Sequence, residues 1–371
     1  MKFTKFGKAL LLSALSAAVA LSVTSCVQSY TVGYLYVTGT ITSGTAGNGI
    51  ISGFNIDHNT GKLNPIDGLP ISSGGANPGR AVLVTGSRFL YVLNRGVNSL
   101  GNADCYGTGA NECQNANITE FAVGGNGILT PEQTFFTQGL NPFRLIGDAS
   151  GEFLYVLDHD SPSNAACALA LGPAATTCGD ITAFTINQNS AQIMGISQGT
   201  AIVNGTGFVY LLDNEGTDVA GTGATSQILP YSVGTNGALQ AQTGGVIPDD
   251  ATLANPIYLL VESKGKFLYV ANQGNNVQGT NTQSGLSGYV IDPTTHQLSF
   301  IAGEPFGSGA GPQCLVEDPS DQFIYSADFN DSSVTGRVVD PNSGVLNNLR
   351  VTSTFALQGP AAWCLIDGRT S

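Results

Sequence analysis

Phe89-Leu90-Tyr91-Val92 is one copy of an aromatic segment that recurs along the chain. The six copies are Tyr34–Val37, Phe89–Val92, Phe153–Val156, Phe208–Leu211, Phe267–Val270 and Phe323–Ser326. Their second aromatic residues, from Tyr36 to Tyr325, are separated by 55, 64, 55, 59 and 56 positions. A period in this range indicates a repeat architecture in which every unit has the same local structure.

Each unit has the pattern of an antiparallel sheet. A proline lies 13 residues before the tyrosine in four of the units, at Pro78, Pro142, Pro256 and Pro312. An alternating apolar segment follows the tyrosine, and a Gly- or Asn-rich turn then leads to a further apolar residue. Short β-branched and aromatic runs that are bounded by Gly, Asn and Pro predict strands joined by hairpins. We therefore expect four strands in each unit.

The composition agrees with a large β structure. The 371 residues include 49 Gly, and only 11% of them are charged, which excludes a coiled coil. The apolar content of 42% excludes wholesale disorder. Sheets with two apolar faces bury each other when they stack radially, and this leaves only short edges. The sequence therefore predicts an all-β propeller of antiparallel blades, with six repeats counted.

The two ends of the chain predict how the ring closes. Pro360 begins a further unit, whose tyrosine would fall beyond Ser371. We expect residues 34–37 to supply the missing strand, with the C-terminal segment as the innermost strand of the same blade. Pairing of the N- and C-terminal strands would remove the free edge of an open stack.

Several motifs resemble those of the lactonase-type β-propellers. They are Asn77-Pro78, Phe89 to Asn94, Phe54-Asn55-Ile56-Asp57 and Thr60-Gly61-Lys62-Leu63. That family includes 6-phosphogluconolactonase and the carboxy-muconate lactonizing cyclase. The resemblance implies lactone hydrolysis or formation, and seven blades as the alternative to the six repeats counted.

The first 26 residues resemble a bacterial lipoprotein signal. Lys2, Lys5 and Lys8 precede an apolar stretch that is short for a membrane span, and small residues lead to Cys26. The resemblance implies a signal peptide at 1–25, a lipidated Cys26 with a short tether at 26–33, and a single propeller domain at 34–371. The protein would then be exported to the cell envelope, and Val27 favours the outer membrane. The alternative is an ordinary secretory signal.

The charge balance indicates which partners are unfavourable. Removing the signal leaves 10 basic against 26 acidic side chains, a net charge of −16. Such a surface repels nucleic acid and anionic headgroups, so the expected contact with the membrane is the lipid anchor. We expect a monomer.

The remaining cysteines number six, which in an exported protein predicts disulfides with 15 possible pairings. They are Cys105, Cys113, Cys167, Cys178, Cys314 and Cys364. Cys105 with Cys113, and Cys167 with Cys178, would each close a short loop, which leaves Cys314 with Cys364, far apart in sequence. Zinc-type spacing is absent, and we expect neither a metal nor another cofactor.

The candidate functional residues follow from the order of strands in a blade. The start of the innermost strand and the end of the Phe-Leu-Tyr-Val strand lie on the same face, where both cysteine-bearing insertions also begin. This face would gather Arg80, Arg95, Arg144, Asp158, His159, Asp160, Asp213 and Glu215. Arg80 or Arg144 could polarise a carbonyl, and His159 or a nearby acid such as Glu215 could activate water.

Two functions are compatible with this pattern. The first is a lipid-anchored binding or scaffold module that recognises a protein or small molecule on the disulfide-decorated face. The second is a lactonase-like hydrolase that opens an unphosphorylated lactone, with Arg144, His159 and Glu215 as its catalytic residues. The fold does not decide between them, because propellers host both functions.

Overall fold

The structure is a computed structural model that describes most of the chain after residue 28. The described residues are 29–41, 48–84, 88–101, 105, 109–137, 139–148, 151–160, 179–186, 193–196, 207–213, 226–233, 239–241, 247–277 and 280–368. Cys26, Cys167, Cys178 and Glu215 lie outside these ranges, as do the signal and residues 26–28 of the tether. Residues from Thr31 onward belong to one compact unit.

The described strands form six main antiparallel sheets, numbered here in chain order. Sheet 1 contains β1 (Thr31–Thr40), β2 (Asn48–Asp57), β3 (Leu63–Pro65), β4 (Ile71–Ala76) and the last strand, β28 (Ala361–Asp367). Sheet 2 contains β5 (Pro78–Leu83), β6 (Phe89–Asn94), β7 (Asn117–Val123) and β8 (Leu129–Phe135). Sheet 3 contains β9 (Leu140–Gly147), β10 (Phe153–Asp160), β11 (Asp180–Ile186) and β12 (Ile193–Ile196).

The second half of the chain continues the same pattern. Sheet 4 contains β13 (Gly207–Asp213), β14 (Gln227–Val233), β15 (Leu239–Ala241) and β16 (Ile247–Pro248). Sheet 5 contains β17 (Pro256–Val261), β18 (Phe267–Asn272), β21 (Gly285–Ile291) and β22 (Leu298–Phe300), and the hairpin of β19 (Asn275–Val277) and β20 (Thr280–Thr282) is separate. Sheet 6 contains β23 (Pro312–Glu317), β24 (Phe323–Asp328), β25 (Ser333–Val339), β26 (Leu346–Asn348) and β27 (Thr354–Ala356).

Helical structure is minimal in the described ranges, where a 3-10 turn spans Gly109–Asn111. None of the described residues belongs to a helix that is long and apolar enough to span a bilayer. The chain is therefore an all-β propeller. Sheets 1 and 6 have five strands, whereas four were predicted. The additional short strands are β4, which pairs with β2, and β27, which pairs with β25.

Strand β6 shows why each sheet needs a neighbour on both faces. Leu90 and Val92 pack into a core shared with Tyr34 and Tyr36 of sheet 1. The alternate residue Tyr91 packs on the other face, against sheet 3. Because side chains alternate between the faces of a strand, the Phe-Leu-Tyr-Val segment fills two inter-sheet cores at once.

Tyrosine hydroxyls join neighbouring sheets at the turn glycines. Tyr36 Oη donates to the carbonyl of Gly127 at 2.7 Å, which links sheet 1 to sheet 2. Further bonds of this kind run from Tyr269 to Gly344 at 2.7 Å and from Tyr325 to Gly61 at 2.8 Å. The last of these links sheet 6 to sheet 1. The repeated tyrosine thus satisfies its buried hydroxyl on the next sheet.

The terminal strands pair as predicted. Residues 34–37 of β1 lie antiparallel to β28, with Tyr36 opposite Leu365 and Thr38 opposite Trp363. A disulfide between Cys314 of β23 and Cys364 of β28 connects this sheet to sheet 6. Six main sheets occur in the described residues, while six blades in the complete ring stays a prediction.

Five strands occupy the same edge position in their sheets and face a common centre. These innermost strands are β5, β9, β17, β23 and β28. Strand β28 lies between β5 and β23, β5 also neighbours β9, and β23 also neighbours β17. Their side chains consequently line one central channel.

Candidate functional site

Four of the innermost strands, β5, β9, β17 and β23, begin at the same kind of turn. The residue before the initial proline has a left-handed backbone, with φ of 51° at Asn77, 57° at Asn141, 52° at Asn255 and 72° at Gly311. Asn and Gly tolerate this conformation better than other residues. The amide of Arg95, just after β6, donates to the carbonyl of Asn77 at 3.0 Å. The predicted shared face, where β6 ends and β5 begins, is therefore confirmed.

A β-bulge follows the start of every innermost strand. The pairing shifts register after Pro78, Pro142, Pro256 and Pro312, and again between Ala361 and Trp363. A bulge re-aims the side chains around it and occurs often beside functional sites. Here the bulged positions supply the side chains at the end of the channel.

That end of the channel is a cavity of about 290 Å³, called the mouth below. Its main side chains are Arg80, Arg95, Phe143, Arg144, Gln313, Phe329 and Trp363. No Asp, Glu or His belongs to this described lining. The mouth is thus strongly cationic in a chain whose formal net charge is −13.

Arg80 and Trp363 form the floor of the mouth. The guanidinium carbon of Arg80 lies 4.3 Å from the centroid of the Trp363 ring, which is a cation–π contact. The ring of Tyr258 meets Trp363 edge-on, with the centroids 5.3 Å apart. Burial lowers the pKa of Arg80, and the positive charge of Arg144 lowers it further. Arg80 still carries its charge at neutral pH, because a guanidinium begins from a very high pKa.

The two central arginines have no carboxylate partner in the described part of the chain. Ion pairs within 4 Å there are His159 with Asp160 and Lys264 with Asp321. Neither pair includes Arg80 or Arg144. The charges of these two arginines are therefore available to an anionic ligand.

His159 lies in a cavity beside the mouth. This second cavity, of about 310 Å³, is lined by Phe143, Leu157, Asp158, His159, Gly179 and Ile181. Phe143 lines both cavities, and its ring centroid is 6.4 Å from that of His159. His159 is largely exposed, and its Nδ1 is 3.0 Å from Asp160 Oδ2. The structure thus separates His159 from the arginines by one aromatic side chain.

The two aspartates that flank His159 are buried hydrogen-bond acceptors. Asp158 accepts from Thr182 Oγ1 at 2.9 Å, within sheet 3. Asp160 accepts from Asn141 Nδ2 at 2.7 Å. Asn141 in turn accepts from the amide of Cys113 at 2.7 Å. This chain of contacts fixes the base of the Cys105–Cys113 loop against the start of β9.

The structure brings some of the sequence-predicted residues together and not others. Arg80, Arg95 and Arg144 meet in the mouth, whereas Asp158 and His159 line the neighbouring cavity. Asp160 lines neither cavity and accepts a hydrogen bond from Asn141. Asp213 is the last residue of β13, opposite Gln227. The disulfides Cys105–Cys113 and Cys314–Cys364 are present in the described residues.

Sequence reasoning missed the aromatic and amide residues of the two cavities along the channel, which are Phe143, Phe329, Trp363, Tyr258 and Gln313. Trp363, Gln313 and Tyr258 come one to three residues after Pro360, Pro312 and Pro256, the positions that correspond to Arg80 after Pro78. A systematic list of the residues after each repeat proline would have found them. Trp363, the single tryptophan of the chain, was the residue whose position after a repeat proline indicated the site most clearly.

Comparison with protein families matches residues 224–363 to the family described as Lactonase, 7-bladed beta-propeller. Comparison with curated proteins gives no match.

Solved structures resemble nearly the whole chain. The periplasmic gluconolactonase of Pseudomonas aeruginosa is 14% identical with a TM-score of 0.59, over 90% of this chain and 99% of that one. A Bacteroides fragilis protein provisionally named a 6-phosphogluconolactonase is 14% identical with a TM-score of 0.56, over 91% and 98% of the two chains. A Lactobacillus plantarum protein is 14% identical with a TM-score of 0.56, over 92% of this chain and 100% of that one. At such low identity the similarity shows the fold alone.

Proposed function

We propose that this lactonase-type β-propeller is a binding module that holds a small organic carboxylate in the mouth. The proposal rests on one observation: Arg80 and Arg144 line the same cavity, and no carboxylate of the described residues forms an ion pair with either. Two adjacent cations repel each other, and an anion between them relieves this repulsion. Guanidinium groups bind carboxylates through paired, charge-assisted hydrogen bonds.

The surroundings of the arginines favour a small organic ligand. Phe143, Phe329 and Trp363 give the mouth aromatic walls, and Gln313 adds an amide that can donate or accept a hydrogen bond. A volume of about 290 Å³ is close to the lower limit of typical small-molecule pockets. The acidic remainder of the surface repels anions at long range, so specificity must come from contacts inside the mouth.

Calorimetric titration of the mature domain tests this function. The ligands are gluconate and hexanoate, two six-carbon carboxylates, with hexanamide as the uncharged control. We expect a carboxylate to bind and Arg144→Ala to weaken binding about tenfold or more, because a charge-assisted hydrogen bond contributes about 1.5–3 kcal/mol. Arg350→Ala, an exposed arginine outside the mouth, is the matched control and should bind like the wild type. Absence of binding by both carboxylates would overturn the proposal.

A second candidate function is hydrolysis of an unphosphorylated lactone. The family match and the fold shared with a periplasmic gluconolactonase favour it. Opening a lactone produces a hydroxy acid, which is itself a carboxylate that the mouth could hold. In this function Arg144 would polarise the lactone carbonyl, and His159 would activate water from the adjacent cavity.

An assay of gluconolactone hydrolysis distinguishes the two functions. A hydrolase should lose most of its activity in both Arg144→Ala and His159→Ala, whereas a binding module should show no turnover above the spontaneous rate. His296→Ala, which removes a histidine of the β21–β22 turn, is the matched control.

We also propose that the protein acts at the cell envelope, attached through lipid on Cys26. The lipoprotein-like signal before this cysteine supports the proposal. Acyl chains give stable attachment because each buried methylene contributes about 0.8 kcal/mol.

A further inference from the structure

A second cavity continues from the mouth along the channel. This apolar chamber has a volume of about 430 Å³. The apolar and aromatic residues that line it include Val82, Ile146, Tyr258, Val316, Leu365 and Ile366. They come from five innermost strands, and Arg80 and Trp363 line both the chamber and the mouth. The two cavities therefore share a boundary formed by these two residues.

The order of residues along the strands places the chamber below the mouth. On β9, Arg144 lines the mouth, and Ile146, two residues later, lines the chamber. On β23, Gln313 lines the mouth and Val316 lines the chamber. Since these strands begin at the mouth, each runs from a polar side chain to an apolar one.

Apolar side chains in the chamber remain open to solvent. Ile146 is 40% exposed, although it lies on an innermost strand of the propeller. Apolar surface that stays in contact with water inside a concave site is favourable for binding apolar ligand groups.

From this arrangement we infer that the ligand is an amphipathic carboxylate, whose anionic head lies at Arg80 and Arg144 and whose apolar chain enters the chamber past Trp363. This inference rests on the proposed function, and it narrows the ligand class from carboxylates in general to those with an unsubstituted hydrocarbon body. A polyhydroxylated acid such as gluconate would lose hydrogen bonds to water in the chamber without replacing them there.

Titration with a homologous series of carboxylates tests the inference. Acetate, butanoate, hexanoate and octanoate carry the same head with chains of increasing length. We expect the affinity to rise about fourfold for each methylene that enters the chamber. Hexanoate should also bind more tightly than gluconate.

A pair of variants identifies the chamber as the place where the chain binds. Ile146→Asn puts an amide in the chamber wall and should flatten the dependence of affinity on chain length. Val261→Asn is the matched control, because Val261 is 39% exposed on β17 and does not line the chamber. The control should keep the wild-type dependence.

The outcomes separate this inference from the proposed function. Equal affinity for all four acids, or a chain-length dependence that survives Ile146→Asn, would overturn the inference while the carboxylate site in the mouth still stands. If none of the series binds and gluconate also fails, the proposed function is itself wrong.

Discussion

The guanidinium of Arg80 lies over the ring of Trp363, with 4.3 Å between its central carbon and the ring centroid. These residues come from β5 and β28, which are nearly 300 positions apart in sequence but adjacent around the channel. Their contact depends on the terminal strand being in place, because β28 is held by β1 on one side and by the Cys314–Cys364 disulfide. The pairing of the terminal strands and the geometry of the site are therefore coupled.

Arg80→Lys should weaken carboxylate binding about tenfold while leaving the fold intact. Lysine keeps the positive charge but lacks the planar fork that stacks on the Trp363 ring and pairs with both carboxylate oxygens. Calorimetric titration with hexanoate measures the effect. An unchanged affinity in this variant would contradict the role assigned to the stacked guanidinium, and Lys62→Arg on the exposed β2–β3 turn serves as the control.

Removing the Cys314–Cys364 disulfide should lower the free energy of unfolding by about 4 kcal/mol, whereas removing Cys105–Cys113 should cost about 2.5 kcal/mol. The difference comes from the loops they close, which span 50 and 8 residues, since a longer loop loses more entropy on cross-linking. Denaturant unfolding of the paired Cys→Ala variants measures both values. A larger loss from the short loop would contradict this account.

Tyr325→Phe should destabilise the fold by about 1–3 kcal/mol. The substitution leaves the ring in place but removes the hydrogen bond to the Gly61 carbonyl, which would then be buried without its partner. Tyr30→Phe is the control, because Tyr30 is 50% exposed. Equal unfolding midpoints for the two variants would show that this bond between sheets 6 and 1 contributes nothing measurable.

Glu120 should make stability depend on pH. Burial, together with the nearby charge of Glu132, raises the pKa of Glu120 from 4.5 to about 7, and its Oε2 has no hydrogen-bond partner in the described structure. The folded state therefore holds this proton more tightly than the unfolded chain does. Its contribution to stability is full below pH 4.5 and is lost as the pH rises to about 7.

Glu120→Gln removes the ionisable group and should raise the free energy of unfolding at pH 8 by about 2 kcal/mol relative to the wild type. At pH 4 the two proteins should differ little. Denaturant unfolding at both pH values is the measurement, and Asp67→Asn, at an exposed carboxylate that does not contribute to the Glu120 pKa, is the control. A difference that is the same at both pH values would exclude titration of Glu120 as its cause.

Cys26→Ser should abolish membrane attachment. Intact lipidation would place the protein in the membrane fraction, and mass spectrometry of the mature N-terminus would show the acyl groups. The variant should be soluble or remain unprocessed. A wild-type protein that is cleaved but carries no lipid would instead favour the ordinary secretory signal.

The repeat made most of the architecture predictable. The Phe-Leu-Tyr-Val segments fill cores on both of their faces, so their spacing marks one sheet after another, and the truncated final unit predicted the pairing of β1 with β28. Arg80 and Arg144 could be assigned to one face because each follows a repeat proline. Trp363 follows Pro360 in the unit that is split between the chain ends, where the pattern was least visible.

The environment of the polar residues could not be predicted from residue type. Asp158 and Asp160 were expected to be exposed binding groups, but both are buried. Thr182 on the neighbouring strand β11 donates to Asp158, and Asn141 on the neighbouring strand β9 donates to Asp160. The separation of His159 from Arg144 has the same origin. It depends on the register of β9 and β10 and on the placement of Phe143 between two cavities.

Fluorescence of the single tryptophan tests the central claim most directly, because Trp363 forms the boundary between the mouth and the chamber. Excitation of Trp363 during titration with hexanoate should give a saturable change in emission that follows the calorimetric affinity and is strongly weakened in Arg144→Ala. Binding that leaves the Trp363 emission unchanged, or that is indifferent to Arg144, would place the ligand elsewhere and contradict the carboxylate site proposed for this channel.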